Sequence, residues 1–192
     1  MTEFLSAIGI AWRWLDGAKG FCDGVDIADG VLLVDPEART STLLHEAGHL
    51  ATLPGEFRHQ AQRNISGVQK LVLEAVAFSD PDAPIARAAM QCSDPEATAW
   101  AWAAGVHLGL DPRLIIQDDE YGETGALVRL QLAGRAYPGI NGLHHAGFCA
   151  QRPGAYAEAR GLPAFPELLF WLQRNFGKGL PAPAKNALTA VT

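Results

Sequence analysis

The stretch that decides the reading of this chain runs Val31-Leu32-Leu33-Val34-Asp35-Pro36-Glu37-Ala38 and then, after a short interval, His45-Glu46-Ala47-Gly48-His49-Leu50. An apolar run closed by Asp-Pro-Glu-Ala reads as a strand followed by a helix start. Asp can cap free backbone N–H groups, Pro fits the first turn, and Glu complements the helix dipole. A cap at Thr40 or Ser41 would begin the helix one turn later. Either way the helix is expected to reach about Thr52 and to stop before Pro54-Gly55. Residues four apart on a helix share a face, so His45 and His49 present their imidazoles side by side, with Glu46 to the side of that face. Gly48 carries a further signal. Gly in a helix interior costs about 1 kcal/mol relative to Ala, so its presence implies close approach by another group.

Upstream, Phe4, Leu5, Ile8, Trp12 and Leu15 recur at helical spacing and predict a helix over residues 2–15, ended by Asp16-Gly17. The segment from Gly24 to Val34 predicts two short strands around a turn at Asp29-Gly30. Downstream, helices are predicted over 67–78, from Asp94-Pro95-Glu96-Ala97 to about Leu108, over 123–135 and over 165–174, while the Gly- and His-rich stretch 137–149 resists assignment. The five tryptophans, Trp12, Trp14, Trp100, Trp102 and Trp171, read as core packing and amphipathic anchors. The fold class expected is α+β and mainly α-helical: one domain over 1–176, with a small N-terminal β-hairpin packed on the helix of His45 and His49, and a flexible tail over 177–192.

Composition narrows the options. The chain has 192 residues, 48% of them apolar and 19% charged, which suits one globular core. Its 15 basic and 21 acidic residues give a net charge of −6 without any basic run, so a nucleic-acid partner is not expected. Cys22, Cys92 and Cys149 are odd in number and widely spaced, which points to reduced thiols and a cytoplasmic setting. The apolar stretch Phe4–Trp14 lacks the basic flank and cleavage site of an export signal and is too short to span a bilayer, so no membrane association is expected either. Oligomeric state is not legible.

The chemistry that needs two histidines four apart on a helix, with an adjacent glutamate, is zinc-assisted hydrolysis. The imidazoles hold one Zn²⁺ per chain, and the carboxylate takes a proton from the metal-bound water and returns it to the leaving group. A third ligand is required, with the fourth position open. The metzincin extension is absent, because Thr52 and Gly55 occupy its places and His59 lies too far along. Two later carboxylates qualify, Glu74 and Glu96. Each has an ordinary explanation: Lys70 one turn before Glu74 makes a surface pair, and Glu96 lies in a first helical turn, where the dipole favours it.

The order of short strand, His-Glu-x-Gly-His helix and a helix opening Glu96-Ala97-Thr98-Ala99-Trp100-Ala101 resembles the small gluzincin-like regulatory peptidases of bacteria and their mobile elements, of which the ImmA/IrrE type is best known. The likeness covers roughly residues 20–110, and departs from that type at Thr98, where it has Asn, and in a longer interval between His49 and Glu96. It implies a zincin-like minimal metallopeptidase domain with His45, His49 and Glu96 as zinc ligands and Glu46 as general base.

In the stretch 137–149, Tyr137, His144 or His145 can supply the donor to an oxyanion that such enzymes take from a distant segment. Cys149 beside them lacks an orienting third residue for a Cys/His nucleophile. The function expected is a zinc metallopeptidase acting on a peptide or protein substrate. The alternative is a regulatory or interaction module that keeps the fold and zinc site without general proteolysis.

Overall fold

The computed structural model describes residues 1–176. The chain is α+β, with a three-stranded sheet near the N-terminus and helices beyond it. Helix α1 (Thr2–Ile8) ends at Gly9, whose φ of 89° lets the chain turn sharply, with the amides of Gly9 and Ile10 bonding back to Ser6 and Leu5. The helix predicted over 2–15 therefore stops halfway. Strand β1 (Trp12–Trp14) comes next, running parallel to β3 (Val31–Val34), which in turn pairs antiparallel with β2 (Val25–Ala28). The alternation of buried Ile10, half-buried Trp12 and exposed Trp14 is hidden in sequence because Ile8, Trp12 and Leu15 also fit a helical period. Asp29 (φ 50°) and Gly30 (φ 74°) make the tight turn between β2 and β3 expected at that dipeptide.

Helix α2 (Thr40–Thr52) begins near the later of the two anticipated starts, but its cap is Arg39, not Thr40 or Ser41, and no side chain caps it. Asp35 caps only a turn, its carboxylate accepting from the amide of Glu37 at 2.7 Å. The sheet packs on α2 through β2 and β3, and Leu43, Leu44, Ala47, Leu50 and Ala51 are buried there. Next come α3 (Ile65–Val76), α4 (Pro84–Ala89) and α5 (Asp94–His107). After them lie α6 (Pro112–Ile115), a distorted turn α7 (Glu120–Glu123), α8 (Gly125–Ala133), α9 (Pro138–His145) and α10 (Ala155–Arg160). The unassigned stretch 137–149 thus contains a helix.

Helix α5 is buried almost all round and lies against both α2 and α9. Gly48 is what allows the first contact: a Cβ there would sit 2.9 Å from the Cα of Ala97 and closer still to its carbonyl oxygen. This is the close approach that a glycine in mid-helix signals.

No helix forms over 165–174. Its backbone is bonded elsewhere: the amide of Leu169 donates to the Phe148 carbonyl, that of Gln173 to Ala51, and the Arg174 carbonyl accepts from Gly55. The segment is a tie of turns and bends across the ends of α2 and α9, and its Trp171 carbonyl accepts from the indole of the fully buried Trp100. The remaining tryptophans divide: Trp102 is in the core, Trp12 bonds Ser6 through its indole, and Trp14 is exposed. The tail read from sequence at 177–192 lies outside the described residues.

Candidate metal centre

Helix α2 presents His45 and His49 one turn apart, ring centroids 4.8 Å from each other. The start of α5 faces them. Nε2 of His49 lies 3.2 Å from Oδ1 of Asp94, and one donor atom from each of His45, His49 and Asp94 falls within 4.8 Å of the others. Two donors on one tetrahedral zinc at ~2.0–2.2 Å stand ~3.3 Å apart, so the His49–Asp94 spacing is that of a ligand pair. The three residues also fit a metal electrostatically. Burial pulls His45 down to about 4 and the neighbouring His49 lowers it further, which leaves a neutral imidazole with a lone pair to give. The bond to His49 holds Asp94 below the usual carboxylate range. Nδ1 of His49, on the far side of the ring from Asp94, is buried with no hydrogen-bond partner among the described residues.

The resemblance nominates Glu96 as the third ligand, but the carboxylate in that position is Asp94. Glu96 instead closes a capping box with Ser93: its carboxylate accepts from the Ser93 amide at 3.1 Å and from the Ser93 hydroxyl at 2.5 Å, while the Ser93 side chain caps the helix in return. Helix α9 presses on it from behind, since a Cβ on Gly142 would overlap the Glu96 side chain. Glu74 is on the surface, paired with Lys70 at 3.8 Å.

Glu46 is buried beside His49. Burial pushes its carboxyl above the ordinary range, while His49 and the neighbouring Cys22 thiol hold it back. Cys22 in turn is pushed up to about 11, by burial first and then by Glu46. The 15–24 connection therefore covers the general-base candidate with a protonated thiol, a neighbour that reading along the helix did not reveal.

On the other side, Thr98 is a hub. Its hydroxyl lies 2.9 Å from the Tyr121 hydroxyl and 3.4 Å from Nδ1 of His45. Burial raises Tyr121 and Tyr137, so each keeps its proton. Tyr121 was missed in the sequence because nothing in periodicity marks it; it reaches the site from a backbone with φ 56°. Tyr137, at the start of α9, does line the cavity next to His45 and Asp94, which measures about 410 Å³ and is walled by Phe21, Ala101, Ile115, Ile116 and Tyr121. A smaller cavity of about 200 Å³ opens on the Glu46 and His49 side, and shares Phe21 and Asp94 with the first.

His144 and His145 lie elsewhere, in a separate cavity with Arg87, Tyr156 and Arg160. Cys149 is fully buried, its thiol pushed up to about 12, and is no nucleophile. Among the described residues, no helix is long and apolar enough to cross a membrane. Compared with protein families, curated proteins and solved structures, the chain matches none.

Proposed function

We propose that this chain is a zinc-dependent metallohydrolase that cleaves peptide bonds. The observation that carries the reading is the convergence of His45, His49 and Asp94 beside the buried carboxylate of Glu46. A donor set of two imidazoles and a carboxylate on a helical His-Glu-x-x-His frame suits zinc. Zinc held there supplies a Lewis acid that polarises a carbonyl and brings the pKa of water to about 7.

The chain's own residues do the rest. Glu46, its proton affinity raised by burial, takes the proton of the water that attacks the scissile carbonyl carbon, then delivers it to the amine as the C–N bond breaks. The Cys22 thiol beside Glu46 tempers the rise in that carboxyl's proton affinity. The protonated hydroxyls of Tyr121 and Tyr137 belong to residues lining the larger cavity beside His45 and Asp94, where they can offer hydrogen bonds to the oxyanion as it forms. Two cavities flanking the centre suit a chain that continues on both sides of its scissile bond, and the apolar wall of Ile115, Ile116 and Phe21 favours an apolar side chain on one side.

The test is Glu46→Gln. Turnover of a quenched-fluorescent peptide library should fall by on the order of 10² to 10⁴ while zinc content, read by elemental mass spectrometry, stays near wild type. Undiminished cleavage by the variant refutes the mechanism.

A further inference from the structure

His144 and His145, which the metal centre leaves unused, stand in a cavity of about 380 Å³ between α4, the end of α9 and α10. Its walls carry Arg87, His144, His145, Tyr156 and Arg160, and no carboxylate. In a chain of net charge −6, so many cationic and donor groups facing one space without an acidic partner is not the general character of the surface. Neither arginine forms an ion pair among the described residues, and Nε of Arg87 is buried with no hydrogen-bond partner. An unpaired buried guanidinium nitrogen is costly unless something anionic meets it.

The geometry is organised as well as charged. The Arg160 guanidinium lies over the Tyr156 ring, 4.8 Å from its centroid, which limits the arginine's freedom beside the cavity. His144 packs against the same ring at 5.6 Å. Burial, His145, Arg160 and Arg87 all depress His144, so the two guanidiniums and both imidazoles act on one small volume. Guanidinium forks match phosphate oxygens in pairs, whereas isolated surface lysines do not. The cavity is larger than an inorganic ion needs, and Leu162 adds an apolar wall for an organic substituent.

We infer that the cavity walled by Arg87, His144, His145, Tyr156 and Arg160 is a binding site for the phosphate group of a small molecule, separate from the metal centre. The experiment is isothermal titration of the full chain, stripped of metal with a chelator so that the His45 centre takes up no phosphate. Inorganic phosphate and glycerol phosphate are titrated separately at constant ionic strength, with sodium chloride as reference. Saturable binding of about one equivalent is expected for at least one of them, weakened on the order of tenfold or more in Arg160→Gln and in Arg87→Gln. Arg160 is exposed, so its variant keeps the fold even if Arg87→Gln does not. Tighter glycerol phosphate would mark an organic phosphate as the ligand, and tighter inorganic phosphate the free ion. Absence of saturable binding to both, or undiminished affinity in Arg160→Gln, overturns the assignment.

Discussion

Oδ1 of Asp94 stands 3.2 Å from Nε2 of His49, while Glu96, two residues further along the same helix, turns back onto Ser93. Two carboxylates in one helical turn thus have different work: one caps the helix, and the other faces the histidines.

That division predicts a separation of metal binding from helix capping. Asp94→Asn should lower zinc affinity by at least ~10²-fold, beyond the ~10–100-fold typical of an outer-sphere partner. Glu96→Gln and Ser93→Ala should both keep their metal; Ser93→Ala should lose about 1 kcal/mol of stability, some 2–4 °C in Tm, and Glu96→Gln less, because Gln also closes a capping box. Elemental analysis alongside thermal unfolding reads both effects. A Glu96→Gln protein that folds but has lost its zinc would reverse the assignment.

Gly48 and Gly67 should respond oppositely to alanine. At Gly48 a Cβ meets the backbone of Ala97, so Gly48→Ala should destabilise by roughly 1–3 kcal/mol and part α2 from α5. At exposed Gly67, in the first turns of α3, a Cβ meets nothing within 4 Å, and Gly67→Ala should stabilise by about 0.4–1 kcal/mol. Urea unfolding of the two variants checks the pair.

The metal-free protein should lose stability from His45 as pH falls. Its folded pKa, about 4, is below its ordinary value of 6.5. Between those values the unfolded chain binds a proton that the native one refuses, so stability contributed by a neutral His45 is complete above pH 6.5 and declines towards pH 4. Asp94, held low by His49, acts in the same sense at more acid pH, whereas Glu46, held high, acts in the opposite one. Comparing wild type with His45→Gln isolates the histidine: the stability difference, measured by denaturant titration, should move in favour of the variant from pH 6.5 to pH 4. A difference independent of pH would count against a buried neutral imidazole.

Cys22 should react slowly with a disulfide reagent at pH 8, because its thiol is held at about 11. Removing the neighbouring carboxylate in Glu46→Gln lowers that value and should speed the reaction. An equal or slower rate in the variant would mean that the two side chains do not meet.

Local signals carried the sequence reading where physics is local. The turn at Asp29-Gly30, the helix bearing His45 and His49, and the α5 helix from Asp94 all arise from caps, turns and periodicity that act within a few residues. Glu96 shows where the reading fell short: Ser93-x-x-Glu96 closes a capping box, an occupation that the nomination of Glu96 as a ligand left out of account. The error at 2–15 has a physical source, since Ile8, Trp12 and Leu15 satisfy a helical period although Gly9 ends the helix.

By itself, then, the sequence determined an α+β chain with two imidazoles and a carboxylate at helical spacing, because side-chain periodicity needs no distant partner. Only the tertiary structure decided which residues join them. Packing of α5 across Gly48 brings Asp94 to His49, a left-handed turn delivers Tyr121 to Thr98, and the 15–24 connection brings Cys22 near enough to Glu46 to shift its thiol. The same packing carries His144 away to a cavity with Arg87 and Arg160. These juxtapositions span tens of residues and depend on how buried faces fit, which no local pattern encodes.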